Sequence, residues 1–291
     1  IAEVEKSEVR EGDLLFVPIA LFGKEKPYEV ITSTRLGSYW NLMIPYVLGS
    51  YILGSCSERT RSILNYIHNR GGVFCGLTRF HQHSGLFANE DAVDDLYGLR
   101  YALSLLWCDE VERFLVTFYG KLAHGLTRDT YIGAEGTGLI PLDEFGRAMY
   151  LPPNSASNAF FLQMLRHLLV QELDTDDDGV ADTLRLLFAT PRHWMEDGGQ
   201  IELKNLPTHF GEISLKARSE LKKGTITVVV ELPTQQTPHR TLLRLRVPRQ
   251  YRIQTATIGK STLPRIDDET LDISGYQGRI VIRCTCEELR S

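Results

Sequence analysis

The sequence predicts two kinds of structure in succession: a helical first part over residues 1–199 and an all-β antiparallel sandwich over residues 200–291. Before residue 199, apolar residues recur every three or four positions in several segments, which is typical of helices that bury one face. After residue 199, apolar and polar residues alternate, which is typical of strands with one buried face. We therefore expect two domains that meet near residue 199.

The first helices are indicated by their caps and apolar stripes. Ser55 and Glu58 have the spacing of a capping box, an apolar stripe follows through Ile67, and Gly71 ends the pattern. An apolar series from Leu96 to Leu106 and a second one ending at Gly125 predict a pair of antiparallel helices. Two more helices are expected, one over residues 39–53 and one after the Pro152-Pro153 pair.

The second part carries the alternation of an antiparallel sheet. Its alternating segments lie around residues 213–217, 226–230, 243–247 and 280–284. Turns are expected at the Lys222-Lys223-Gly224 segment, at Gly259 and at Gly278. These short strands predict a compact sandwich.

Composition limits the possible partners. The chain has 291 residues, 43% of them hydrophobic, which is enough for one large or two ordinary domains with buried cores. Its 32 basic and 37 acidic residues give a net charge of -5 without a long basic run, which argues against a nucleic-acid partner. The apolar stretch over residues 40–53 is interrupted by Asn41, Pro45 and Gly49, which argues against a membrane span.

The cysteines predict neither a metal site nor a compartment. The five cysteines are odd in number and contain no CxxC pair, and Cys284-x-Cys286 alternates along a strand-like run. We interpret most of them as small buried hydrophobic residues. The compartment is left open between secreted, periplasmic and cytoplasmic.

Several strings in the first part resemble glycoside hydrolases built on an (α/α)6 toroid, close to the α-L-rhamnosidase-like enzymes. The strings are SYWNLMIPYVLGS (38–50), DDLYGLRYAL (94–103), YIGAEG (131–136), YLPPNSASNAFFLQMLR (150–166) and ATPRHWMEDGGQIELKNLPTHFGEIS (189–214). The resemblance implies a mainly α fold, part of an (α/α)6 toroid, followed by a β-domain, and a substrate in plant or bacterial polysaccharide. About half of the twelve helices of a complete toroid are recognised, so a missing N-terminal part of a longer chain is an expected partner.

Two carboxylate positions are candidates for catalysis, since glycoside hydrolysis needs an acid and a base or nucleophile. Glu135 lies between Gly133 and Gly136 in a loop where a sugar can approach the backbone, and the resemblance implies that it is the general base. A solvated loop glutamate or a helix cap is the alternative. Asp94 and Asp95 are candidates for the second carboxylate, with Asp95 or a residue of the missing segment as the acid, but both also suit the acidic start of a helix.

Polar and aromatic residues near these carboxylates could bind a sugar. Arg79, His81 and His83 lie before the predicted helix at Leu96 and could reach sugar hydroxyl groups. The His-x-His spacing also allows a metal, for which a third ligand is not evident. Aromatic rings that a sugar could stack on, or that could equally be core, are those of Trp40, Tyr97 and Tyr131.

A calcium loop is the candidate metal site. Asp174, Asp176, Asp178 and Asp182 have the oxygen-ligand spacing of an EF-hand-type loop, with Gly179 at the sixth position. Position twelve is Arg185 instead of the usual glutamate, and an acidic solvated turn is the alternative. The ion would be structural, and catalysis would need no cofactor.

Together these patterns predict a glycoside hydrolase with Glu135 as general base. A non-catalytic carbohydrate-binding module, or a structural helical module, is the alternative. The carbohydrate would be the partner in either of the first two cases.

Overall fold

The computed structural model describes residues 2–19, 24–49, 53–54, 56–81, 91–94, 96–142 and 146–289. The chain forms two compact units, residues 1–165 and residues 166–291, which we call unit 1 and unit 2. The domain boundary at residue 199 stays a sequence-based prediction.

The described residues form six α-helices. They are α1 (Ala2–Ser7), α2 (Arg35–Met43), α3 (Glu58–Asn69), α4 (Leu99–Trp107), α5 (Val111–His124) and α6 (Ser155–Leu169). The helices expected after Ser55, around Leu96 to Gly125 and after Pro153 are confirmed as α3, the α4–α5 pair and α6. The capping residue of α3 is Ser57, whose hydroxyl accepts the N–H of Thr60 at 3.1 Å, whereas Ser55 lies outside the described residues.

The described residues of unit 1 also form two sheets. A hairpin joins β1 (Val9–Glu11) and β2 (Leu14–Phe16). A five-stranded antiparallel sheet, which we call the site sheet, has its strands in chain order: β3 (Val73–Phe74), β4 (Leu77–His81), β5 (Asp91–Asp94), β6 (Gly136–Leu142) and β7 (Gly146–Tyr150).

The site sheet overturns the predicted fold class. The structure is 30% helix and 34% strand with four sheets, so the fold is mixed α/β, and a mainly α fold with part of an (α/α)6 toroid is wrong for the described part of the chain. The strands of the site sheet are two to seven residues long and are interrupted by glycines, so they lack the long alternation that marks a strand in the sequence. Their pairing joins segments far apart in sequence, which local periodicity does not reveal.

Unit 2 is a sandwich of two sheets. The four-stranded sheet has the order β16 (Thr270–Asp272), β13 (Arg240–Arg244), β9 (Thr183–Leu186), β8 (Val170–Leu173). The six-stranded sheet has the order β10 (Gln200–Thr208), β11 (Gly211–Glu220), β12 (Thr225–Leu232), β17 (Gly278–Glu288), β14 (Tyr251–Ile258), β15 (Ser261–Thr262). One continuous apolar core contains residues of both sheets, among them Leu186 and Val228. This sandwich differs from the predicted all-β antiparallel sandwich over residues 200–291 in two respects: β8 and β9 lie before residue 199, and β13 pairs with β9 in parallel.

The cysteines divide into two groups. Cys56 and Cys108 form a disulfide with their Cα atoms 5.1 Å apart, so interpreting most cysteines as buried hydrophobic residues missed a covalent link. Cys284 and Cys286 are buried on β17 as expected, whereas Cys75 is exposed. Sequence spacing did not identify the pair, because 52 positions separate its members.

None of the helices that the structure describes combines the length and the apolar composition needed to cross a membrane.

Candidate functional site

The site sheet brings together three of the predicted functional positions. Arg79 on β4 has Val93 as its Cα partner on β5, and Asp94 on β5 has Gly136 as its partner on β6. Glu135 immediately precedes β6 and extends its pairing with β7 by one hydrogen bond, from the Glu135 N–H to the Tyr150 carbonyl oxygen at 2.9 Å. The backbones of Arg79, Asp94 and Glu135 therefore lie on three neighbouring strands or their ends.

The loop that carries Glu135 is fixed against the first turn of α6. The Gly133 N–H donates to Asn158 Oδ1 at 2.7 Å, and the Gly133 carbonyl oxygen accepts the N–H of Asn154 at 2.8 Å. A Cβ atom on Gly133 would lie 2.6 Å from that Asn158 oxygen, so only glycine allows this approach. Glu135 is half-buried and follows a fully buried Ala134. The carboxylate is thus attached to a backbone with little freedom to move.

Tyr131 presents an exposed ring at the other end of this loop. Its side chain is 59% exposed, and its backbone has φ of +53°. Asn158 Nδ2 donates to the Tyr131 carbonyl oxygen at 2.7 Å, and Thr127 Oγ1 accepts the N–H of Ile132 at 2.8 Å. These bonds hold an unusual left-handed backbone in place. The ring is therefore accessible to a ligand, as sugar stacking requires.

Trp40 belongs to the core of unit 1. It has no exposed surface, and its indole N–H donates to the Val17 carbonyl oxygen at 2.8 Å. Its ring stacks on Phe16 with centroids 5.4 Å apart and meets Tyr66 edge-on at the same distance. No ring face is open to a sugar, so the core alternative describes Trp40 best.

The remaining predicted binding residues differ in what the structure describes. Arg79 is half-buried, and its carbonyl oxygen accepts a bond from Asn41 Nδ2 at 2.7 Å. Tyr97 is half-buried with its ring edge-on to Tyr46, at 6.5 Å between centroids. The backbone of His81 ends β4, while its side chain, His83 and Asp95 lie outside the described residues.

Asp94 does not occupy a helix N-terminus. It is the last residue of β5, and the residue before α4 is Gly98. The helix-dipole alternative is therefore excluded for Asp94, because the chain first completes a strand and a turn. The side chain of Asp94 is outside the described part of the structure.

The structure also contains a buried cation that we did not predict. Lys121 on α5 has no exposed surface, and its ammonium donates to Ser157 Oγ at 2.5 Å. The same Ser157 oxygen lies where a Cβ of Gly133 would come within 2.7 Å, so the lysine lies beneath the Glu135 loop. Lys121 follows Phe118 by three positions and Phe114 by seven, so it lies on the apolar stripe of the helix. This spacing was the signal from which its burial could have been predicted.

The predicted calcium loop joins β8 to β9 in unit 2. Asp174, Asp176 and Asp182 each offer a carboxylate oxygen, all within 4.8 Å of one another. Asp174 accepts the N–H groups of Asp178 at 3.1 Å and Gly179 at 2.7 Å, which tightens the turn. The Asp178 carboxylate instead accepts the N–H of Val180 at 2.8 Å.

The carboxylates of this loop differ in acidity. Desolvation raises the pKa of Asp182, but hydrogen bonds from Thr175 and Thr183 outweigh it and bring that pKa below its ordinary value. The N–H of Asp178 lowers the pKa of Asp176, but desolvation and the charges of Asp178 and Asp174 leave it above its ordinary value. Such mutual repulsion is what a bound cation would relieve.

Comparison with known proteins gives similarity to solved structures. No protein-family model matches the sequence, and no curated protein matches it. Among solved structures, a GH127 β-arabinofuranosidase is similar at 12% identity and a TM-score of 0.47, over 86% of this chain and 42% of that one. The chain thus spans less than half the length of that enzyme, which is a glycoside hydrolase and not an α-L-rhamnosidase. Function must therefore be argued from the residues of this chain.

Proposed function

We propose that the chain is part of a carbohydrate-active enzyme that hydrolyses glycosidic bonds, with Glu135 as the general base. The observation that most directly supports this proposal is the β5–β6 register, in which Asp94 pairs with Gly136. That register brings a second carboxyl-bearing residue next to Glu135, and the reaction needs two such residues.

The Cα partner of Asp94 is Gly136, the residue after Glu135. Cα partners in an antiparallel pair lie about 4.5 to 5.5 Å apart, and Asp94 and Glu135 are one residue out of direct register, so their backbones are neighbours across the end of β5 and the start of β6. Catalytic carboxyl groups lie about 5 to 5.5 Å apart in retaining enzymes and about 6.5 to 9.5 Å apart in inverting enzymes. In the proposed reaction Glu135 removes a proton from water as it attacks the anomeric carbon. As this bond forms, Asp94 or Asp95 protonates the glycosidic oxygen, and the bond from the anomeric carbon to that oxygen breaks.

Other residues of unit 1 would bind the substrate. The exposed Tyr131 ring would stack on the apolar face of one sugar, and Arg79 would donate hydrogen bonds to hydroxyl groups. His81, His83 and Tyr97 complete the proposed set, from which Trp40 is omitted because it is fully buried. The resemblance of the sequence makes an α-L-rhamnoside in plant or bacterial polysaccharide the first substrate to test.

A non-catalytic carbohydrate-binding module is the second candidate. The observation that favours it is the 59% exposure of Tyr131, since an exposed ring on a fixed loop binds a sugar whether or not a reaction follows. In this case Glu135 would only accept hydrogen bonds from sugar hydroxyl groups. The two candidates make different predictions for the same variant.

The test compares the chain with its Glu135→Gln variant on a panel of aryl glycosides that includes the α-L-rhamnoside and the β-arabinofuranoside. Glutamine keeps the shape of the side chain but cannot take a proton. We expect hydrolysis to fall by more than about a hundredfold, as is typical when a general base is lost. Activity that is unchanged in the variant would remove Glu135 from the mechanism.

The matched control is Glu29→Gln, which removes an exposed carboxylate from the same unit and should leave the rate unchanged. Thermal melting of both variants shows whether the fold is kept. Binding of the sugars without any turnover, weakened by Tyr131→Ala, would support the binding module instead.

A further inference from the structure

Unit 2 contains a cavity that the proposed reaction does not use. Its volume is about 700 Å³, and it lies beside the start of β14, the segment that leads into it and the loop before β16. Cavities of this size are typical of small-molecule sites. The side chains that line it are mostly charged, and four of them are arginines.

Two of these arginines form a fixed wall. Arg192 donates to the Glu269 carboxylate through both terminal nitrogens and to the Val247 carbonyl oxygen at 2.7 Å. Arg244 lies over the Phe188 ring, with its Cζ 4.0 Å from the centroid, and donates through Nε to Thr270 Oγ1 at 2.9 Å. Their charges are already engaged, so they shape the cavity and do not attract a ligand strongly.

Arg249 and Asp268 supply the cavity's available charges. Both side chains are exposed and line the cavity. Within the part of the chain that the structure describes, Arg249 makes no ion pair and Asp268 accepts no hydrogen bond. The fourth arginine, Arg252, is paired with Glu287. One guanidinium and one carboxylate are therefore left to meet a ligand.

The arrangement selects for the chemistry of the ligand. Of the three acidic side chains that line the cavity, Glu269 is paired with Arg192 and Asp267 lies 3.7 Å from Arg244, so these two charges are compensated and Asp268 remains to accept hydrogen bonds. A guanidinium binds a single carboxylate through two parallel hydrogen bonds. A free carboxylate accepts bonds from hydroxyl groups, and the half-buried Tyr251 contributes an aromatic surface that the apolar face of a sugar can contact.

We propose that this cavity binds an acidic sugar, namely a uronic acid residue of an oligosaccharide. Arg249 binds its carboxylate, Asp268 accepts bonds from its hydroxyl groups, and Tyr251 packs against its ring. The site lies wholly within unit 2 and needs none of the chemistry of Glu135. It would hold an acidic polysaccharide whether or not unit 1 hydrolyses it.

The test is isothermal titration calorimetry of the full chain with a short oligogalacturonide, compared with a neutral galacto-oligosaccharide of equal length and with inorganic phosphate. We expect the acidic sugar to bind, and the other two to bind at least about tenfold more weakly. Arg249→Gln should weaken the acidic sugar by about tenfold or more, which corresponds to the loss of a bidentate contact. Asp268→Asn should weaken it less.

The matched control is Arg283→Gln, which removes an exposed arginine of unit 2 that does not line the cavity and should change the affinity by less than about twofold. Equal binding of the neutral sugar or of phosphate would overturn the assignment. So would the absence of binding, or an equal loss in Arg249→Gln and Arg283→Gln. Repeating the titration with Glu135→Gln separates the two sites, because that variant should bind the oligogalacturonide as the unchanged chain does.

Discussion

The site sheet of unit 1 and the sandwich of unit 2 are both antiparallel for most of their extent, yet their sequences encode them differently. In the sandwich, β11, β12 and β17 are 10, 8 and 11 residues long and alternate between buried and exposed side chains. In the site sheet, β3 has 2 residues and β5 has 4. A long alternating strand can be recognised locally, whereas a short one is defined only by its partner.

Different interactions also stabilise the interior of each unit. The sandwich has one continuous apolar core that both of its sheets share. In unit 1, side-chain amides also hold the backbone in place. Asn41 donates to the carbonyl oxygens of Gly72 and Arg79, and Asn158 bonds to Tyr131 and Gly133 in the loop that leads to Glu135. The disulfide adds a covalent link there. Unit 1 thus adds these polar contacts and a covalent link to an apolar core that includes Phe16 and Trp40.

The largest expected effect follows from that disulfide. Replacing Cys56 and Cys108 by serine opens a loop with a sequence separation of 52, and the chain-entropy estimate for such a loop is about 4 kcal/mol of stability. We expect the loss in unit 1 and not in unit 2, because Cys284 and Cys286 of the sandwich are free. Hydrogen exchange followed by mass spectrometry measures the two units separately.

The control for this experiment is Cys75→Ser, since Cys75 is an exposed free thiol in unit 1 and its loss should have little effect. Faster exchange in both units after removal of the disulfide would show that their stabilities are coupled. Unchanged exchange in unit 1 would show that the disulfide contributes nothing to it.

The strands of unit 2 could be predicted from the sequence better than those of unit 1. Alternation correctly predicted the segments around Ile213, Ile226 and Ile280 as strands, because each has a buried face that the local pattern records. It also placed Cys284 and Cys286 inward. What it missed in unit 2 was the parallel pairing of β9 with β13, which depends on a chain crossover and leaves no local signal.

In the candidate site, the sequence indicated candidate residues but not the secondary structure and burial of each one. It identified Glu135 and the loop glycines, because glycine at a close approach is visible in the sequence. It placed Asp94 at a helix start, whereas the structure has it in β5. A four-residue strand shortly before an apolar helix is too short to show an alternation of its own, so the helical periodicity determines the prediction there. Trp40 could not be assigned to core or surface, because burial of a tryptophan depends on Phe16 and Tyr66, which are distant in sequence.

The second prediction concerns the pH dependence of unit 2. Burial, aided by the charge of Arg166, lowers the pKa of His167 from 6.5 to about 4. The unfolded chain therefore binds a proton that the folded chain does not. The contribution of His167 to the free energy of unfolding is fully present above pH 6.5. It is lost as the pH falls toward 4, which lowers the free energy of unfolding by roughly 3 kcal/mol in all. Urea unfolding between pH 7 and 4 measures this dependence.

His167→Gln should flatten that pH profile, because glutamine does not titrate in this range. His209→Gln, at an exposed position of the same unit, serves as the control and should leave the profile unchanged. A profile that is equally steep in His167→Gln would assign the pH dependence to other groups of the unit.

The smallest expected effect is that of calcium, and it distinguishes a scaffold held by burial alone from one that also uses an ion. We propose that Asp174, Asp176, Asp178 and Asp182 bind calcium, because three of these carboxylates already converge within 4.8 Å.

Calcium at ten times its dissociation constant would stabilise unit 2 by about 1.4 kcal/mol. The Asp174→Asn and Asp176→Asn double variant should lose this increase in melting temperature, whereas Glu212→Gln, which removes an exposed carboxylate of β11, should keep it. Magnesium should have a weaker effect, since it demands a more regular octahedral geometry. If calcium raises the melting temperature of the double variant as much as that of the unchanged chain, the loop is an acidic turn that its own backbone N–H groups stabilise, and the sandwich depends on its core alone.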